Sequence, residues 1–302
     1  MTIRACLVTL LSAALLLPGQ SGNADFTFRV EGHLVVLSVH VQDKQGRSVD
    51  DLASQDFQVI DEGQIQPIRQ FSHEDRPVTV GILVDSSASM RNKQADVILA
   101  ALSFISSSNP QDEVFVVNFN SRPWLGLPEG VPFTNDQSQL QAALESGSPQ
   151  GRTALFDALI LAAQHISTGK WEKKVLLLIS DGGDNQSSAQ LTDAIHAVEA
   201  SGATVYTIGI FDAGDHDSDP KTLQLLAKMS GGEAVLPKKT EEVTAICNRI
   251  ATRIRDSYTL AFEPPPGSRT GVTHKLKVTV NNQHRGKLNV RTRESYLLPP
   301  ER

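Results

Sequence analysis

The sequence predicts an α/β fold, a doubly wound and mostly parallel sheet flanked by β-rich segments. Three observations predict it. Between residues 77 and 256, short apolar runs alternate with stretches of helical periodicity. The first of those runs, residues 78–84, is nearly continuous in apolar residues rather than alternating, as expected of a parallel strand buried on both faces. On either side of this region the pattern reverts to short strands separated by turn residues.

In chain order, residues 26–75 read as β. Phe26-Thr27-Phe28-Arg29-Val30 alternates, and residues 34–41 do so less strictly. Asp43-Lys44-Gln45-Gly46-Arg47 is a turn, and residues 57–60 lead into the turn Asp61-Glu62-Gly63. From Pro77 the period changes. Strand 78–84 precedes a helix near 93–107, strand 114–119, an edge hairpin near 123–133 and helix 136–146. Residues 153–166 carry Leu155, Ala158, Leu159, Ala162 and Ala163 at helical spacing. Strand 175–179, helix 188–200 and strand 204–210 follow. Pro220 opens a helix that Gly231-Gly232 stops, and strand 233–236 and helix 240–256 close the series. Strands return at 258–262, 275–280 and 287–291. These segments suggest a domain plan of 1–24, 25–76, 77–256 and 257–302. The two β flanks either join in one sandwich with the α/β unit inserted or stand as separate appendages. Joining is preferred, because strands with unpaired edges are a liability.

Length and composition are those of an ordinary globular chain: 302 residues, 40% hydrophobic, with a formal net charge of −6. That sign argues against a general nucleic-acid binder. Arg4 precedes an apolar run from 5 to 17, broken by Pro18-Gly19 and followed by small residues. This is the layout of a signal peptide cut after Ser21 or Ala24, and the run is short for a membrane span. The expectation is an exported protein, periplasmic or extracellular, with no stable span after cleavage. Loss of Cys6 would leave Cys247 alone, so no internal disulfide is expected. Cys247 lies among Val243, Ile246 and Ile250 and reads as a buried thiol.

The chemistry gathers at three loops. Strand 78–84 runs into Asp85-x-Ser87-x-Ser89, Gly151-Arg152-Thr153 precedes a helix, and strand 175–179 runs into Ser180-Asp181-Gly182-Gly183. In an open parallel sheet such loops share the carboxyl edge, where ligands bind. Asp85 and Asp181 with the hydroxyls of Ser87, Ser89 and Thr153 form an oxygen set without Cys or His. It fits Mg²⁺, with Mn²⁺ or Ca²⁺ as substitutes, better than a typical zinc site. The alternative for the first loop is a turn ending in a helix cap, since Asp and Ser are preferred there.

The pattern resembles the von Willebrand factor type A domain over roughly residues 77–256. The metal-ion-dependent adhesion site of that family has the form Asp-x-Ser-x-Ser, then Thr, then Asp, met here by Asp85, Ser87, Ser89, Thr153 and Asp181. The resemblance implies that hydroxyls coordinate directly, that carboxylates often act through water, and that an Asp or Glu of a partner protein completes the shell. The flanking segments are more weakly similar to those of exported bacterial proteins carrying this domain.

Other acidic and nucleophilic groups lead elsewhere. Asp212, Asp215, Asp217 and Asp219 form an acidic loop, but Pro220 and Leu226 stand where a calcium loop needs Gly and Glu. Asp219 reads as the cap of the following helix, Asp184 as a supporting or capping group rather than a ligand, and Asp157 as a solvated or capping carboxylate. No His-Glu-x-x-His and no Gly-x-Ser-x-Gly occurs. The sequence therefore points to an exported, cation-dependent protein-binding module used in adhesion or assembly. It points away from an enzyme; the alternatives are a metal-dependent hydrolase and a structural envelope component.

Overall fold

In a computed structural model, the described residues are 34–212, 217–282 and 286–298. The expected signal peptide, the expected strand at 26–30 and Asp215 lie outside them. No helix among the described residues is long and apolar enough to cross a membrane.

A six-stranded sheet forms the centre. Its strands are β5 (Thr79–Asp85), β6 (Glu113–Phe119), β7 (Pro123–Leu125), β8 (Lys174–Ser180), β9 (Thr204–Gly209) and β10 (Ala234–Val235). Their order is β10-β9-β8-β5-β6-β7, and every pairing is parallel except that of β6 with the edge strand β7. The chain thus proceeds outward from β5 on one side, then returns to place β8 on its other side. That reversal is a topological switch point, and it lies between β5 and β8.

All seven residues of β5 are buried, because helices cover both faces of the sheet. The helices are α1 (Gln94–Ser106), α2 (Gln137–Glu145), α3 (Leu155–Ile166), α4 (Leu191–Ser201), α5 (Pro220–Ser230) and α6 (Val243–Arg255). Helix α1 packs on α6, and α3 on α4. Helix α6 shows the reason in its sequence: Val243, Ile246, Cys247, Ile250, Ala251 and Ile254 form one buried stripe. Burial pushes the Cys247 thiol up to about 12, which makes it chemically inert. Asp219 caps α5 by accepting from the Lys221 and Thr222 amides, with Pro220 in its first turn, as expected.

The two β flanks pair with each other. Strand β1 (Val35–Gln42) lies antiparallel to β11 (Tyr258–Phe262), and β2 (Phe57–Asp61) to β12 (Thr273–Val280). With β3 (Gln64–Gln66), β4 (Ile68–Ser72), β13 (Asn289–Arg291) and β14 (Ser295–Leu297) they build sheets of order β13-β1-β11-β4 and β14-β12-β2-β3. Leu37, Val59, Leu260, Val278 and Tyr296 belong to one core shared by both sheets. The short strands β3, β4 and β14 have few residues and little alternation, so sequence pattern alone does not delimit them. Glu62 and Gly63 both take positive φ, and this sets the tight turn that joins β2 to β3.

A buried polar node links sandwich and central sheet. His40 of β1 and Tyr206 of β9 share a hydrogen bond of 2.8 Å. Arg291 of β13 and Arg253 of α6 both pair with Glu233 nearby. Burial, reinforced by the charges of Arg291, Lys173 and Arg253, holds the His40 imidazole down to about 3. The unfolded chain takes up that proton near pH 6.5, while the folded one resists it to about pH 3. Stability attributable to this site is therefore lost as pH falls through that window, by about 1.4 kcal/mol per pH unit. His40→Gln, which keeps a hydrogen-bonding group for Tyr206, should flatten this part of the profile when urea unfolding is followed from pH 7 to pH 4. Parallel profiles for the two proteins would contradict the assignment.

Candidate metal site

Asp85 is the last residue of β5, one position inside the strand rather than beyond it, because it stays in register with Phe119 of β6. Its neighbour across the switch point is the end of β8, so the loop carrying Asp181 emerges beside it. The loop at residues 150–153 is stitched to both. The Ala88 amide donates to the Gly151 carbonyl at 3.2 Å and the Gln150 amide to the Ser86 carbonyl at 3.0 Å. On the other side, the Asn185 side-chain oxygen accepts from the Thr153 amide at 3.0 Å, and the Asn185 amide donates back to the Thr153 carbonyl. The three loops are thus one hydrogen-bonded assembly at the carboxyl edge of the sheet.

Within it the oxygen atoms form a chain. The Ser89 hydroxyl donates to Asp181 Oδ2 at 2.7 Å, and the Ser87 and Ser89 Oγ atoms lie 3.0 Å apart. Asp85 Oδ1 accepts from the Ser87 amide at 2.8 Å, and Asp85 Oδ2 from the Ser180 hydroxyl at 2.7 Å. Asp181 Oδ1 accepts from the Gly183 amide at 3.1 Å. Ser87 stands at the cap position of a short 3-10 turn, Ala88–Met90, yet its side chain makes no capping bond. The hydroxyl is free for the oxygen chain, which weighs against the plain helix-cap alternative.

Asp85, Ser87, Thr153 and Asp181 are buried, whereas Ser89 is exposed and opens the site to solvent. Burial pushes Asp85 up to about 6, and the nearby Asp181 charge adds to that; the bonds from Ser87 and Ser180 oppose it. Two buried carboxylates with only neutral donors around them are short of positive charge. Lys93, itself buried, spends its ammonium on Asp212 at 2.9 Å and on the Ile210 carbonyl. Among the described residues no cluster of three or more His, Cys, Asp or Glu side chains is arranged to hold a metal. Any cation here rests on two carboxylates and hydroxyls.

The donor set is of the hard-oxygen kind that suits a small divalent cation. The Ser87–Ser89 and Ser89–Asp181 separations are 3.0 and 2.7 Å. The hydroxyl protons that now bridge these oxygens would turn outward to admit a cation. Thr153 is held in place through its backbone, and its hydroxyl bonds to neither carboxylate.

Some supporting residues were not foreseen. Ser180 grips Asp85 and Asn185 grips Thr153. Both depend on which loops become neighbours in the sheet, which local sequence does not carry. Asp184 accepts from the Phe156 amide at 2.9 Å and so fixes the start of α3; Asp157 accepts from the Ser188 and Ala189 amides.

Residues 80–184 match the von Willebrand factor type A domain, and all five site residues fall within them. A solved von Willebrand factor type A protein from Catenulispora acidiphila is 15% identical, with a TM-score of 0.55 over 90% of this chain and 76% of that one. The α/β unit has the von Willebrand factor type A fold. Two further structures with TM-scores of 0.50 share it. One is the pilus adhesin SpaC from Lactobacillus rhamnosus GG, 12% identical over 81% of this chain and 48% of its own. The other is proximal thread matrix protein 1 of the mussel byssus with zinc occupying its MIDAS motif, 16% identical over 60% of this chain and 48% of its own. No curated protein sequence matches the chain.

The type A fold leaves little room behind Asp181. Gly182 has φ +81°, and a Cβ there would collide with the Asp219 carbonyl. Gly182→Ala is expected to lower stability by at least about 1 kcal/mol, from the left-handed backbone alone, with the collision added. Gly202→Ala, at φ +69° but with only the Arg293 side chain nearby, should show the backbone cost alone. Equal losses of melting temperature would mean that the loop gives way without cost.

Proposed function

We propose that the chain is an exported protein-binding module, used in adhesion or assembly, whose three-loop site holds a divalent cation. The observation that carries this reading is the convergence of the Ser87, Ser89 and Asp181 oxygens beside the buried Asp85 carboxylate, from loops distant in sequence. Asp85, Ser87, Ser89, Thr153 and Asp181 would hold the ion, with Mg²⁺ proposed and Mn²⁺ or Ca²⁺ as substitutes. A bound cation would supply an electrophilic centre for a further ligand, and Ser89 is the exposed member of the set. Hydroxyl ligands cancel none of the ion's charge, and carboxylates acting through water cancel it only at a distance, so an Asp or Glu from a partner protein would be a natural further ligand.

The reading is non-enzymatic. The Ser87 and Ser89 hydroxyls bond one another and Asp181, and among the described residues no imidazole reaches them to act as a base. A pilus adhesin and a byssal matrix protein on the same fold support a role in holding proteins together. The zinc in the byssal protein's motif makes zinc a necessary competitor in any titration.

Calorimetric titration with Mg²⁺, Mn²⁺, Ca²⁺ and Zn²⁺ tests the site. Asp85→Ala should abolish cation binding and the chelator-sensitive capture of partners, while melting temperature stays within a few degrees. The fold should survive because the ionised carboxylate is costly where it sits. Cation affinity unchanged by the substitution would sink the site assignment.

A further inference from the structure

A second recognition feature lies away from the cation site. Between β4 and residues 170–173 runs a cavity of about 720 Å³. Residues 69–72 of β4 line it consecutively. Successive side chains of a strand point to opposite faces, so a groove touched by four residues in a row, and also by Thr259 of the neighbouring β11, crosses one face of β4 and reaches its edge. That edge is the free one: among the described residues β4 ends its sheet, with β11 on its other side. Its outward amides and carbonyls are a template for another strand.

The lining of the groove also carries more cations than carboxylates, in a chain whose net charge is −6. Arg69, Arg76, Lys170 and Lys173 line it against one carboxylate, Glu172. Lys173 turns its ammonium inward to the Ile254 carbonyl and the Ser257 hydroxyl. The other three face outward. Arg69 lies 3.1 Å from Glu263 and Arg76 3.9 Å from Glu74, both as exposed pairs that are weakly held. Lys170 sits 4.7 Å from the centre of the Trp171 ring, which forms part of the same wall.

We propose that this groove binds an acidic, extended segment of a partner protein, which adds to β4 as a further strand. Main-chain hydrogen bonds to the β4 edge would supply affinity, and the carboxylates meeting Arg69, Arg76 and Lys170 would supply selectivity. The site is independent of the cation.

The sequence provides its own reporter. Its two tryptophans are Trp124 and Trp171, so Trp124→Phe leaves Trp171 as the sole indole. The full chain carrying that substitution, in EDTA, is titrated with an acetylated peptide of four Glu-Val repeats while Trp171 fluorescence is followed. A saturable change is expected. It should weaken at least tenfold in Arg69→Glu/Arg76→Glu, at least tenfold when alternate peptide amides are N-methylated, and markedly in 1 M salt. A Lys-Val peptide should give no change. Circular dichroism of the double variant separates loss of binding from loss of fold, and Arg69→Gln/Arg76→Gln should bind with intermediate affinity. Absence of binding, binding that survives charge reversal or N-methylation, or equal affinity for a sulfated oligosaccharide would each overturn the proposal. Because EDTA is present throughout, failure here says nothing against the cation site.

Discussion

Two carboxylates, Asp85 and Asp181, are buried side by side at the ends of adjacent parallel strands, and the rest of the site follows from that constraint. Ionised groups in such a place must be paired, hydrogen-bonded or neutralised. The protein meets the demand in part with Ser87, Ser89, Ser180 and the Gly183 amide. These donors are neutral, and Asp85 is still pushed up to about 6 by burial and by its neighbour's charge. The remaining deficit is one of positive charge. In the proposed reading a divalent cation fills it.

The sheet topology explains why those two carboxylates meet. The chain leaves β5 toward β6 and later returns to lay β8 on its other flank. Loops at such a reversal diverge and leave a crevice. Here the crevice is fixed by backbone bonds through residues 150–153, which tie the first loop to the third. Glycines 182 and 183 let the third loop pass against residues 217–219 without side chains in the way. The sandwich, by contrast, holds both ends of the α/β unit together through β1–β11 and β2–β12 pairing. Its His40–Tyr206 bond anchors it to the central sheet.

Much of this was legible from local sequence. The nearly continuous apolar run of β5 announced a doubly covered strand, and the alternation of periods announced the α/β order. The spacing Asp85-x-Ser87-x-Ser89 placed one carboxylate and two hydroxyls at a strand end, and the helix stops at Gly231-Gly232 were plain. What sequence did not show depends on register between distant segments. Ser180 reaches Asp85 only because β8 lies beside β5. Tyr258 accepts from the Leu52 amide and donates to the Val49 carbonyl across more than two hundred residues. The place of β4 at the end of its sheet among the described residues is likewise a property of the assembled sheet rather than of its own five residues.

The central claim is that the three loops form one cation site of hydroxyls and carboxylates. The most direct measurement is an anomalous difference map from crystals of the full chain grown with Mn²⁺ and recorded at the manganese absorption edge. The account predicts a strong peak bounded by the Ser87 and Ser89 hydroxyls, with Thr153, Asp85 and Asp181 around it directly or through water. An empty site at saturating Mn²⁺, or a peak only in the acidic loop at residues 212–219, would contradict it.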